Sequence, residues 1–198
     1  MTMLDVTLGR LLDAQAQKYP NHEAVIYPFE GIRWTYSQFK DRVDRLARGM
    51  VGMGIKKGDH VSIWATNVPE WVLTQFATAR IGAVLVTVNT NYKAFELEYL
   101  LKQSDTSTLI MTGGFKDSNY IEIINELCPE LKNTPPGKLD SAKFPHLKNI
   151  IYIGKERHSG MFKFDDLYDM AENVDPMVLD KIQEDLSPQD VINMQYTS

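Results

Sequence analysis

Cysteine is almost missing from this chain. Cys128 stands alone among 198 residues, so no internal disulfide can form, which fits a reducing compartment such as the cytoplasm. Long apolar runs are missing too. Stretches such as Ala24–Tyr27, Ala83–Val86 and Ile150–Ile153 fall far short of the roughly 18 residues a membrane span requires. Met1–Asp5 carries neither the basic flank nor the apolar stretch of a secretory signal. Positive charge is not in excess: 21 Lys and Arg face 26 Asp and Glu, a net of −5. That balance excludes the basic stripe of a broad nucleic-acid footprint. No Walker-type glycine–lysine loop, HExxH, GxSxG or clustered Cys/His metal spacing occurs. His22, His60, His146 and His158 lie in separate segments and read as loop or strand-end residues rather than catalytic bases.

What is present is the composition of a globular domain, 43% hydrophobic and 24% charged, able to bury roughly 70% of its unfolded surface. Short β-branched runs alternate with longer amphipathic ones. Leu8, Leu11, Leu12 and Tyr19 follow Thr7 at helical spacing until Pro20. Ala24–Tyr27 and Ile32–Thr35 read as strands of a hairpin around Glu30-Gly31. Thr35 and Gln38 form a capping-box pair, opening a helix that carries Phe39, Val43, Leu46, Ala47 and Met50 on one stripe. His60–Ala65, Ala83–Val88, Ser107–Met111, Asn149–Ile153 and Val191–Tyr196 read as strands. Between them lie helices opened near Pro69 (bracketed by Asn67 and Glu70, with Val72, Phe76 and Ala79 inward), through Leu97–Ser104, over Tyr120–Cys128, Phe164–Ala171 and Pro176–Ile182. Glu130–Lys148 reads as a polar, proline-bearing connection. Strand–helix–strand repetition with buried strands means parallel pairing and right-handed crossovers. The fold class is α/β, a mostly parallel open sheet covered by helices on both faces.

Local motifs say less about chemistry. Gly113-Gly114, with Lys116 nearby, reads as a tight strand-to-helix turn, with a small anion site as the sharper alternative. Trp34, Trp64 and Trp71 read as core packing. The end of the chain is more telling. Asp190–Tyr196 leads into Thr197-Ser198, and a parallel sheet places its ligands just beyond the carboxyl ends of its strands. A chain stopping there lacks the loop in which a site is expected; a surface tail is the alternative.

Several stretches resemble the N-terminal part of the acyl-adenylate-forming enzymes, and among them the fatty-acyl-CoA synthetases. Trp34-Thr35-Tyr36 is similar to that family's helix entry. GIKKGDHVSIWATNVPEW (Gly54–Trp71) resembles its glycine–aspartate turn, strand and proline-opened helix, and Ala79–Asp105 resembles its GA…VN…EL segment. Leu186–Ser198 resembles the run into its glycine-rich phosphate loop, usually YTSGTTGxPKG. The chain departs from the pattern at Lys93, where relatives often carry Thr or Ser, and after Ser198, where the glycines and lysine of the loop would follow.

The resemblance implies that Thr197 and Ser198 begin the loop that cradles the ATP phosphates, with no catalytic or metal-binding residue transferred. It implies ATP, Mg²⁺ and coenzyme A for a complete parent enzyme, with a small-molecule carboxylic acid as substrate. Residues 1–36 are expected to belong to an incomplete second subdomain, and 37–198 to an α/β subdomain ending at the phosphate loop. The fragment alone is expected to be inactive and to self-associate. Another acid-CoA ligase of the superfamily, or a non-catalytic α/β module binding a nucleotide or a partner, remains open from sequence.

Overall fold

The computed structural model describes residues 5–196. Several of its helices begin where a side chain accepts the free amides of the first turn. Helix α1 (Leu8–Lys18) starts at Thr7, whose hydroxyl accepts the Arg10 amide at 3.3 Å. Strands β1 (Glu23–Tyr27) and β2 (Ile32–Thr35) form an antiparallel hairpin that turns at Gly31, φ 68°. Helix α2 (Tyr36–Gly52) opens on the expected capping box. The Gln38 amide donates to Thr35 Oγ1 at 3.3 Å, and the Thr35 amide to Gln38 Oε1 at 3.0 Å.

Next come β3 (His60–Trp64), α3 (Pro69–Ile81), β4 (Val84–Thr87), α4 (Ala94–Gln103) and β5 (Thr108–Met111). A small hairpin, β6 (Gly114–Phe115) and β7 (Ser118–Asn119), leads into α5 (Tyr120–Leu127). The chain closes with β8 (Asn149–Tyr152), β9 (Phe162–Lys163), α6 (Asp166–Ala171), α7 (Val178–Glu184) and β10 (Asn193–Gln195).

Among the described residues six strands make one sheet in the order β10-β4-β3-β5-β8-β9, and every neighbouring pair is parallel. Side-chain alternation splits each inner strand between two cores. Val61, Ile63, Leu85, Ile110 and Ile151 join α1, α2, α3, α6 and α7 on one face. Trp64, Val86, Leu109, Met111, Ile150 and Tyr152 join α4, α5 and the following connection on the other. Helices on both faces are what an all-parallel sheet requires. The β1–β2 hairpin forms a separate two-stranded sheet, while Leu12 and Trp34 share the first core with α2 and β3.

All five expected strands lie in the sheet; the differences have physical causes. Strand β9 was unforeseen because two residues carry no periodicity. Gly113-Gly114 does not turn straight from strand to helix. It enters the β6–β7 hairpin, where a Cβ on Gly114 would fall 2.4 Å from the Ser118 carbonyl oxygen. Asn67 does not cap α3: Val68 holds that position without a side-chain bond, and Pro69 supplies a preset first turn. The inward face of α3 is also broader than expected, adding Leu73, Thr74, Ala77, Thr78, Arg80 and Ile81 to Ala79. The Glu130–Lys148 connection is less of a linker than its polarity suggests. It begins within a 3-10 turn (Pro129–Asn133) and buries Leu131, Leu139, Phe144 and Leu147.

One charged group sits deep among the helices. Arg80 is 3% exposed. Its Nη1 donates to Asp13 Oδ2 at 2.6 Å and to the Gly9 carbonyl at 3.2 Å, and its Nε lies 2.9 Å from Asp44 Oδ1. Lys40 Nζ reaches both carboxylates, and Gln183 Nε2 donates to Asp13 at 3.5 Å. The network joins α1, α2, α3 and α7, and a buried guanidinium stripped of these partners would be strongly destabilising.

Two expected outcomes follow from this packing. Burial alone would raise the Asp13 carboxyl, but Arg80, Lys40 and Gln183 together hold it below the usual carboxylate range. A depressed folded-state pKa stabilises above the unfolded value and is lost as pH falls through the folded one. Asp13→Asn should therefore be less stable than wild type near pH 7, with the gap shrinking below about pH 4; urea melts across that range measure it. At Gly49, an added Cβ would lie 2.0 Å from the Leu167 carbonyl oxygen, where α2 meets α6. Gly49→Ala should cost about 3 kcal/mol through overpacking, read as a lowered urea midpoint.

Candidate functional site

In an open parallel sheet, ligands lodge beyond the carboxyl ends where neighbouring strands send their connections to opposite faces. Strands β3 and β4 meet that description. The chain leaving β3 enters α3, whose Leu73, Ala77 and Ile81 pack on the first face, whereas the chain leaving β4 enters α4, whose Leu97, Leu100 and Leu101 pack on the second. The crevice between them is bounded by Ala65–Val68 on one side and Val88–Tyr92 on the other. Strand β10 runs beside β4 with Gln195 opposite Thr87, so its carboxyl end faces the same way.

The walls of this crevice are hydrogen-bonded from below. The Val88 amide donates to the Ile63 carbonyl at 3.0 Å. Trp64 Nε1 donates to the Asn89 carbonyl at 3.1 Å, and the Tyr120 hydroxyl to the Thr90 carbonyl at 2.6 Å. Asn89 Oδ1 accepts the Asn91 amide at 2.9 Å, closing a side-chain turn. On the opposite wall, the Tyr27 hydroxyl donates to the Val68 carbonyl at 3.1 Å, tying the N-terminal hairpin to the crevice. Lys93 stands at the N-cap of α4 without a side-chain acceptor. Its backbone amide still donates to Glu96 Oε2 at 3.1 Å, which supplies half of a capping box. Its ammonium reaches Ser118 Oγ at 2.6 Å and Asp117 at 3.1 Å.

Electrostatics at this edge are mild. Burial pushes the Glu70 carboxyl up; hydrogen bonding to its own backbone opposes this and the Asp165 charge adds to it. Burial pushes the Tyr120 phenol up to about 12, so that hydroxyl remains a donor. Tyr196 is raised first by burial, with Tyr99, Asp105 and Tyr92 adding and a Ser104 hydrogen bond opposing. Among the described residues no three His, Cys, Asp or Glu side chains come together as a metal site.

The residues singled out in the sequence are placed as follows. Thr197 and Ser198 lie outside the described residues. None of the four histidines enters the crevice: His22 is exposed, His60 bonds the Ser104 carbonyl, His146 lies 3.6 Å from Asp105, and His158 stacks edge-on against Tyr152. The anion reading of Gly113-Gly114 loses its donors, because Asn119 already accepts the first-turn amides of Ile121 and Glu122. Trp34 and Trp64 are buried, and Trp71 packs against the first core. Sequence reasoning missed the pairing of Trp64 with Tyr120 and the role of Asn89. The available signal was chemical: a buried tryptophan or tyrosine needs an acceptor for its polar hydrogen.

The chain matches the family model described as AMP-binding enzyme over residues 12–198. It is 50% identical over 196 residues to YngI of Bacillus subtilis (strain 168), provisionally named an acyl-CoA synthetase, covering 99% of this chain and 36% of that protein. It is 37% identical over 195 residues to the mitochondrial medium-chain acyl-CoA ligase ACSF2 of Homo sapiens, covering 97% of this chain and 31% of that protein. Among solved structures, the anthranilate CoA ligase AuaEII in complex with anthranoyl-AMP superposes with a TM-score of 0.75 at 20% identity, over 100% of this chain and 33% of that one. The long-chain-fatty-acid-CoA ligase FadD1 of Archaeoglobus fulgidus superposes with a TM-score of 0.72 at 23% identity, over 100% of this chain and 36% of that one. The chain thus spans about a third of the length of the curated relatives it matches. With the parallel sheet of the adenylate-forming N-terminal domain and a family match across nearly its whole length, the chain belongs to the AMP-binding enzymes.

Proposed function

We propose that this chain is the N-terminal portion of an ATP-dependent fatty-acyl-CoA synthetase. The observation that carries the reading is the position of β10. It lies parallel beside β4, its carboxyl end opens toward the β3–β4 crevice, and Tyr196-Thr197-Ser198 follow it in the pattern of a phosphate loop. Thr197 and Ser198 begin that loop, whose backbone amides and hydroxyls bond phosphate oxygens. In the first half-reaction a carboxylate oxygen attacks the α-phosphorus of ATP, and the bond to pyrophosphate breaks. In the second, the thiol of coenzyme A attacks the acyl carbon of the adenylate, AMP leaves and the thiol proton is lost. Mg²⁺ accompanying ATP would neutralise phosphate charge; among the described residues no cluster of three His, Cys, Asp or Glu side chains stands ready to hold it.

The role of this chain is architectural within that reaction. Residues 37–198 supply the sheet whose edge presents the phosphate loop. Residues 1–36 contribute to a second subdomain completed by other sequence. A cytoplasmic location is supported by the single, buried Cys128 and by the lack, among the described residues, of a helix long and apolar enough to cross a membrane.

Purified by itself, the 198-residue chain should show no acid-dependent exchange of pyrophosphate into ATP and no acyl-CoA formation, because its phosphate loop is unfinished. Robust exchange by material free of host synthetase would contradict this. The isolated chain should also self-associate. Ile26 and Phe29 of the hairpin are exposed, Phe29 fully, and the outer edge of β10 has no strand beside it among the described residues. Light scattering over a dilution series checks it; a monodisperse monomer at high concentration would count against it.

A further inference from the structure

Strand β10 is lightly held. It pairs with β4 through Asn193, Met194 and Gln195, and no strand lies on its other side among the described residues. Val191, just before it, is 65% exposed. The connection that feeds β10 also stands off from α1. A cavity of about 310 Å³ is lined by Leu186, Pro188 and Ile192 of that connection together with Val6, Leu8 and Leu11 around the start of α1. A void leaves the atoms around it without dispersion partners, and a segment with few packed contacts opens at a lower free energy than the core.

What holds the segment instead is polar. Between Ser187 and Asp190 it folds into a closed turn. The Asp190 amide donates to the Ser187 carbonyl at 3.0 Å, and the Ser187 amide to Asp190 Oδ2 at 2.8 Å. Lys57, in the turn before β3, fastens this unit to the sheet. Its ammonium donates to the Asp185 carbonyl at 2.8 Å and lies 2.8 Å from Asp190 Oδ2. Lys57 thus stands at the amino edge of the sheet, whereas Gln195 pairs with Thr87 at the carboxyl edge, beside the β3–β4 crevice.

We propose that residues 185–195 form a hinged strap that seats on β4 and lifts from it as a unit, with Lys57 as its latch. A lifted strap removes the β10 border of the carboxyl edge, so that edge exists in two states. A ligand bound against β10 selects the seated state through its differential affinity. The ion pair at the opposite edge sets how much of the chain is seated. Its charges are partly exposed, so the latch is modest and sensitive to salt. The strap does not depend on the synthetase reading.

Successive amides of β4 report the strap directly. The Leu85 amide donates to the Ile192 carbonyl at 3.0 Å, whereas the Val84 and Val88 amides donate the other way, to the Asp59 carbonyl at 2.8 Å and the Ile63 carbonyl at 3.0 Å. Hydrogen exchange on the 198-residue chain, at the lowest concentration of the dilution series, should find Leu85 about tenfold less protected than Val84 and Val88. Comparable protection at all three overturns the strap. Lys57→Met keeps the aliphatic stem and removes the ammonium, and Lys57→Arg keeps the charge. Leu85 should lose about fivefold more protection in Lys57→Met, with Val88 within about twofold of wild type and Lys57→Arg near wild type. Raising salt to about 1 M should bring wild type toward Lys57→Met and leave that variant unchanged. An unchanged Leu85, equal losses at Leu85 and Val88, or the same salt response in both proteins overturns the latch. The wild-type comparison decides on the strap even if Lys57→Met does not fold.

Discussion

Parallel pairing is the constraint on which the rest of this structure depends. Parallel strands cannot be joined by tight turns, so each pair needs a crossover, and each crossover helix covers one face of the sheet. Strand β3 lies between β4 and β5, with Val61, Ile63 and Trp64 each 0% exposed. Its two faces are sealed by different helices, and the two cores meet only through the sheet. Once β3 is covered on both sides, the direction of every other strand and the edge at which loops gather are fixed.

That geometry links packing to chemistry. The loops after β3 and β4 part toward opposite faces, and β10 returns from far along the chain to pair with β4. Sequence distance is thereby converted into proximity: Trp64 and Tyr120 bond the carbonyls of Asn89 and Thr90, and Gln195 pairs with Thr87, two residues before Asn89. The rigid parts of the crevice are main-chain carbonyls held by buried aromatic donors, not a cluster of ionisable side chains.

Much of this was legible in the sequence because the signals were local or periodic. The Thr35–Gln38 capping box and the apolar runs of β3, β4, β5 and β8 each follow from a few neighbouring residues. Strand β9, by contrast, has two residues, and it exists because Ile151 and Tyr152 offer a free edge. The Glu130–Lys148 connection was illegible for another reason. Its apolar residues are spaced without helical or strand period, and only the covering of the second core explains why Leu131, Leu139, Phe144 and Leu147 are buried. The Trp64–Tyr120 pair spans 56 positions and leaves no local trace.

The central claim is that β10 delivers the chain into a phosphate loop. The most direct measurement is the nucleotide sequence of the transcript immediately after the Ser198 codon. A synthetase N-terminal portion requires a glycine- and threonine-rich continuation carrying a lysine, of the GTTGxPKG kind. A stop codon, or a continuation lacking those glycines and that lysine, would contradict it.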